Sequence, residues 1–502
     1  MERDAVQSRA ATPRECGSPL RCRVEAGEAP PPAAMSSEET IKILLGDKSY
    51  EVCKSKLIER SDYFRALYSS GMRESQPGQS VQLQGLSIPG LELVIEFINT
   101  SQVTLEQETL EDLVESASFL QVTPMLELLL TRIQLDNCVE LCNLAEIYGT
   151  HGLRDACLEF MACNYHQMLQ RPEFHLFPTD FRQQVREMRM KGDATLIALG
   201  DFIGSTLTGP HQEGPWSMMR FDDAVQRWLH MASNLPPSMV HVRGYGSAVM
   251  DNYLFVVGGF RMTSQEISAA HCYNPCKNEW SQIASMNQKR SNFKLLAVNG
   301  KLYAIGGQAL SNVECYSPEH DWWSFVASLP SPLAEFSACE CKGKIYVIGG
   351  YTSKDRNLNI LQYCPTSDSW TVFEHCTLHV RKQQMLSVED TIYLVGGCIH
   401  ELDSSKKTCQ SEDMLTVQSY NISTREWLYL KGNTSKSGLN LTCSLHNDGI
   451  YIMSRDVTLT TSQEHRVFLK YNLFDDSWEP FRRFPAAGQN MLLCSLYIPK
   501  SV

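Results

Sequence analysis

Three arginines occupy corresponding places in three repeats of this 502-residue chain: Arg243, Arg290 and Arg381 each come just ahead of the innermost strand of their repeat. A fourth, Arg261, follows the first glycine pair of the repeat series. A guanidinium is a planar fork of donors that grips a carboxylate bidentately. Equivalent positions of a radial repeat converge on its central channel, so these four are substrate-binding candidates for an acidic protein segment. The same residues can instead bond loop carbonyls and brace the repeats. The two readings stand level for Arg290 and Arg381, and bracing is favoured for Arg243.

Other reactive types lack the spacing that chemistry needs. His375 and His379 are four apart, but in a connection between repeats rather than on a helix. Cys272-x3-Cys276 and Cys339-x-Cys341 have no matching second pair and no histidines at zinc-finger spacing. No catalytic residue, metal or cofactor is expected. The 18 cysteines are scattered, which implies free thiols in a reducing compartment. The sequons at Asn421, Asn433 and Asn440 are then idle.

The elements that must position the arginines are strands. Six tryptophans each follow an aromatic by seven positions: Phe221/Trp228, Tyr273/Trp280, Tyr316/Trp323, Tyr363/Trp370, Tyr420/Trp427 and Tyr471/Trp478. Successive tryptophans are 43 to 57 residues apart, the period of propeller blades. Four units carry a strand ending in Gly-Gly, at 258–259, 306–307, 349–350 and 396–397. Glycine pairs permit backbone conformations and close approaches that a Cβ obstructs. The aromatic pairs are expected to pack between blades. The first tryptophan unit has no glycine-paired strand before it, and 490–499 reads as an inner strand with no tryptophan after it. Joined, they make a composite blade that closes a ring of six. The fifth unit is degenerate, Gly449–Ser454 replacing the glycine pair. The long loop 398–413 is a further candidate contact.

Composition narrows the partners. With 43% hydrophobic and 20% charged residues and a formal charge of −12, the chain lacks the basic field that nucleic acid requires. No apolar run is long enough to span a membrane. Residues 1–34, rich in Ala, Pro, Arg and Glu, read as a disordered tail, with Met35 as an alternative start. Residues 35–133 mix strand and helix. Two strands flank a Gly46-Asp47 turn, a helix covers 57–67, a strand covers 81–83, and helices cover 91–98, 110–120 and 125–133. Residues 134–208 read as all helical, 209–217 as a linker, and 218–499 as the strand repeats.

The glycine pairs with spaced Tyr/Trp resemble Kelch repeats. The run Ser61-Asp-Tyr-Phe-Arg-Ala-Leu-Tyr-Ser-Ser-Gly-Met-Arg-Glu-Ser75 resembles a BTB domain. Asn137-Cys138, Leu144-Ala145 and Tyr148 with Leu153 are similar to the opening of a BACK domain. The chain is thus identified as a member of the kelch-like family: a multidomain protein of α/β BTB domain, all-α BACK domain and all-β six-bladed Kelch propeller. The resemblance implies a homodimer through BTB, a Cullin-3 contact through Met72 and Glu74, and a protein client held by the propeller. It further implies an adaptor without enzyme activity, with cytoskeletal or mitotic regulators as clients, acting in the cytoplasm on the cytoskeleton or spindle. The alternative is a non-ligase scaffold that dimerises through BTB and binds filaments. The chain departs from the family pattern at Thr40, at Val52-Cys53-Lys54 and at Asn99.

Overall fold

A computed structural model describes residues 39–71, 76–104, 106–203, 217–231, 235–262, 264–401, 414–455, 465–480 and 482–499. Thr40–Leu45 and Lys48–Cys53 pair antiparallel about the expected turn, with Leu45 opposite Lys48 and Gly46 at φ +57°. Val81–Leu83 joins parallel to the first strand. The single helix expected over 57–67 is two helices, Lys54–Arg60 and Asp62–Ser69. Buried Ser61 divides them: its hydroxyl donates to the Leu120 carbonyl and accepts the Phe64 amide, trading helix continuation for an N-cap.

Helices Ile88–Thr100, Leu110–Phe119 and Thr123–Leu130 complete this first unit. A helical region follows, comprising Cys138–Ile147, His151–Cys163, Tyr165–Met168 and Thr179–Met188. Helicity ends there, earlier than the all-helical reading of 134–208. Ala194–Ile203 is a strand of the propeller, and pairs with Arg482–Tyr497 on one side and Ser217–Asp222 on the other. Its run Ala-Thr-Leu-Ile-Ala-Leu-Gly carries no period that separates a helix from a strand buried on both faces.

The closing blade therefore has four strands drawn from both ends of the domain. From the axis outward they are Arg482–Tyr497, Ala194–Ile203, Ser217–Asp222 and Arg227–Met231. The first blade runs through Gly246–Met250, Tyr253–Val257, Ala270–Asn274 and Glu279–Ile283, and four similar sheets follow in chain order. Among the described residues these make six blades, and each innermost strand touches the next, the last returning to the first. The inner strands are sheet edges that face the central channel, where the ring shields them from pairing with another chain.

A repeated clasp joins the blades. Tyr316 donates to Asp321 Oδ1 at 2.7 Å, and the same oxygen accepts the Ala284 amide of the preceding blade at 3.0 Å. Trp323 Nε1 then donates to the Ala284 carbonyl at 2.8 Å, so one loop residue is gripped on both sides. Tyr363, Asp368 and Trp370 hold Ala327 in the same way, and Tyr471, Asp476 and Trp478 hold Lys431. The aromatic pairs sit 5.1 Å apart in these blades, worth about 1 kcal/mol each beyond buried area. The aspartates occupy left-handed backbone, φ +45° to +48°, which Asp tolerates better than most residues. The glycine pairs add a second contact. Gly350 N donates to Val380 O of the next blade's lead-in at 2.8 Å, and a Cβ on Gly349 would meet that oxygen at 2.0 Å.

The helical region docks on the turns of the first blade. Arg189 is buried, its guanidinium 3.7 Å from the Tyr253 ring centroid, and it donates to the carbonyls of Ala162, Asp251 and Asn252. Arg186 adds an ion pair with Asp251. His166 inserts among Tyr253, Phe255 and Tyr316, with Nε2 3.0 Å from the Tyr316 hydroxyl. That hydroxyl already gives its proton to Asp321, so His166 donates from Nε2. The helical region thereby plugs into one of the clasps.

Two outcomes follow. Replacing Asp321 by Ala strands a buried tyrosine hydroxyl and a loop amide, and is expected to cost about 2 kcal/mol in denaturant unfolding; an unchanged midpoint contradicts the clasp. Burial holds His166 down to about 4, below its ordinary 6.5. The unfolded chain therefore takes the proton first, and the docked state is stabilised above pH 6.5 and loses that stability as pH falls toward 4. The loss is up to about 3 kcal/mol. His166→Gln should remove this portion of the pH slope; the same slope in both proteins contradicts the assignment.

Candidate functional site

The inner strands of all six blades line one central cavity of about 1230 Å³. Among the described residues its wall carries Arg243, Lys294, Lys382 and Arg466 against a single carboxylate, Glu335. Glu335 is itself held between cations, with Arg381 Nη1 at 3.2 Å and Lys382 Nζ at 3.3 Å. In a chain of formal charge −12 this is a local positive well.

The four candidate arginines divide. Arg243 lies on the cavity wall, its side chain exposed and its backbone bridged to Phe260. Arg381 is half-buried beside the wall and engages Glu335. Arg261 is exposed off the wall, with Nη2 3.2 Å from the Ser238 carbonyl. Arg290 is withdrawn as a client contact, because its side chain and that of its partner Glu314 are both 0% exposed. Its guanidinium donates to Glu314 Oε1 at 2.9 Å and to the carbonyls of Gly306 and Asn312. Glu314 also accepts the amides of Asn287 and Gln288, so the pair stitches the lead-in of the second blade to that blade's third strand. Arg466 braces likewise, donating to Gly488 O and Asn440 O.

Two lysines not singled out from sequence stand in the cavity. Lys382 directly follows Arg381 with φ +60°, facing Glu335. Lys294 opens the inner strand of the second blade, and Cys443 lies on that of the fifth, across the ring. Burial pulls the Lys294 ammonium down and pushes the Cys443 thiol up to about 12. Among the described residues, no hydrogen bond or ion pair holds the Lys294 ammonium. The signal was available: Lys294 comes four residues after Arg290, where the strand begins to line the axis.

Strand direction orients the cavity. Arg243, Gly259 and Lys382 mark the end where the inner strands begin, whereas Asp251 and Asn252, which receive Arg189, turn the chain at the other end. The positive mouth therefore faces away from the helical region. His379 Nε2 donates to Gly350 O at 2.9 Å and the ring stacks on His400, and Leu378–Arg381 pairs with Cys398–Glu401 beside the fourth blade. The remainder of the long candidate loop, 402–413, lies outside the described residues, as do Met72 and Glu74. Among the described residues no group of three His, Cys, Asp or Glu side chains is placed to hold a metal, and no helix is long and apolar enough to cross a membrane.

Comparison with known proteins accords with this architecture. The BTB/POZ domain signature matches residues 35–134, and the Kelch motif matches 241–287, 289–330 and 332–374, the first three blades. Kelch-like protein 42 of Mus musculus is 64% identical over 488 residues, covering 93% of this chain and 99% of its own. Its Homo sapiens counterpart is 62% identical over 500 residues, with the same coverage. The chain belongs to the kelch-like family. More distant is Kelch-like protein 9 of Mus musculus, 24% identical over 53% of this chain and 57% of that protein.

For this kelch-like chain the burial of Arg290 sets a clear expectation. Arg290→Ala leaves Glu314 without its counter-charge inside the blade and should cost about 3 to 5 kcal/mol in unfolding experiments. A stable variant with an unchanged midpoint contradicts the bracing role.

Proposed function

We propose that this protein is a substrate-recognition adaptor of a Cullin-3 ubiquitin ligase, with no active site of its own. Its mechanism is proximity: the BTB unit engages Cullin-3, and the propeller holds a client within reach of the ubiquitin-charged machinery. The observation that carries the reading is the positive cavity mouth, which opens at the propeller end remote from the helical region. A client gripped there leaves the helical region and the BTB unit unobstructed. The helical region, read as a BACK domain, sets the spacing between the two, and its polar dock onto the first blade keeps that spacing fixed.

Arg243, Lys382 and Lys294 select an acidic client segment, with Arg381 held ready by Glu335. The class of client follows the family resemblance, cytoskeletal or mitotic regulators met in the cytoplasm. Dimerisation through BTB offers two propellers to one client and raises avidity. In the cullin contact, Met72 serves as an apolar anchor and Glu74 fixes register.

Two measurements test this. Wild type should co-purify with Cullin-3, and a Met72→Ala/Glu74→Ala double variant should not; equal recovery contradicts the contact, and a dimer that binds filaments but never Cullin-3 supports a scaffold instead. Client capture should be about tenfold slower after Arg243→Glu with Lys382→Glu, with loss of its salt dependence. Unaltered capture by that variant contradicts the cavity mouth as the binding face.

A further inference from the structure

We propose that Cys163 and Cys276 form a peroxide-sensitive dithiol that can covalently tie the helical region to the propeller. Cys163 is the last residue of helix His151–Cys163, and Cys276 lies in the turn between the third and fourth strands of the first blade, 113 residues later. Both are partly exposed. Asn274 holds the two backbones together: its side-chain amide donates to Cys163 O at 2.8 Å, and its carbonyl accepts from Cys276 N at 3.2 Å. Lys277 adds a bond to Asn164 from the next position. Arg189 Nη1 spans the junction, donating to Cys276 Sγ at 3.8 Å and to the carbonyl of Ala162, the residue before Cys163.

The surroundings give the two sulfurs different roles. The neighbouring Cys163 thiol and the guanidinium of Arg189 against its sulfur hold Cys276 below the ordinary thiol range, although burial opposes it. The neighbouring Cys276 sulfur, together with burial, pushes Cys163 up. Cys276 is thus the thiolate nucleophile and Cys163 the resolving thiol.

With a hydroperoxide as oxidant, the Cys276 thiolate attacks the terminal oxygen, the O–O bond breaks, and the leaving alkoxide or hydroxide takes a proton. Cys276 becomes a sulfenic acid. The Cys163 sulfur then attacks the Cys276 sulfur, the S–O bond breaks, and water leaves with the Cys163 proton. One peroxide is reduced by two electrons and one disulfide forms. Other buried thiols such as Cys157 and Cys272 are raised by burial. The disulfide would add a covalent tie to the hydrogen-bonded dock, reversed by thiol reductants.

The test is peroxide titration of the full-length chain, with peptide mapping under non-reducing conditions. Cys364 is a built-in control for oxidant access, since hydrogen bonds from Ser367 bring it down to about 7 and it is not within the dithiol. The expected product is a Cys163–Cys276 cross-linked peptide, formed about tenfold faster at pH 7 than oxidation of an ordinary exposed thiol. In Cys163→Ser, dimedone should trap Cys276 as sulfenic acid; in Cys276→Ser, Cys163 should stay reduced. Thermal midpoints of both variants establish that they are folded. Oxidation of Cys364 while Cys163 and Cys276 remain free thiols overturns the proposal, as does equal oxidation of Cys163 in wild type and Cys276→Ser.

Discussion

A hydrogen-bond clasp between neighbouring blades, built on buried tyrosines, is the interaction on which this molecule depends. Blades touch mainly through apolar faces, which specify contact but not angle. The clasp supplies the angle: an aspartate in left-handed backbone accepts both a tyrosine hydroxyl within its own blade and a loop amide of the blade before it. The tryptophan indole returns a bond to that same loop residue. The clasp tyrosines are buried and their hydroxyls are costly to leave unpaired, which resists relative movement of the blades. The fourth blade varies the device. Arg425 stands where the second, third and fifth blades have Asp, Tyr420 turns to Glu374 of the preceding blade, and the guanidinium lies 4.7 Å from the Phe373 ring centroid.

That rigidity has a consequence for function. The helical region does not rest on the ring; through His166 it joins the chain of hydrogen bonds running from Tyr316 to Asp321 and Ala284. Arg189 anchors the other side of the dock by gripping main-chain carbonyls, which no change of rotamer can remove. On the proposed function, a client at the positive mouth would thereby be held at a set distance from the BTB unit, the constraint that a mechanism of proximity uses.

Much of this frame was legible in the sequence, and the limits are physical. The Tyr/Trp spacing and glycine pairs revealed the blades, because a local turn and a local hairpin carry them. The hairpin at Gly46-Asp47 was equally plain. Ala194–Ile203 was missed because its partner strand lies nearly three hundred residues on, and its unbroken apolar run reads as helix beside true helices. The arginine positions were legible but their roles were not. Arg290 and Arg381 have the same repeat position, yet a glutamate on the third strand of its own blade, Glu314, pulls Arg290 inside, whereas Glu335 leaves Arg381 at the surface. The clasp aspartates sit two residues before Trp323, Trp370 and Trp478, a regularity that a closer reading of the repeats exposes.

Native-state hydrogen exchange on the full-length chain tests the central claim most directly. Ala284, Ala327 and Lys431 lie in irregular loops outside any strand, where an amide ordinarily exchanges fast. If the clasp governs the ring, their amides exchange as slowly as the inner strands and open only with them. Fast exchange at these three positions, with the inner strands still protected, would contradict it.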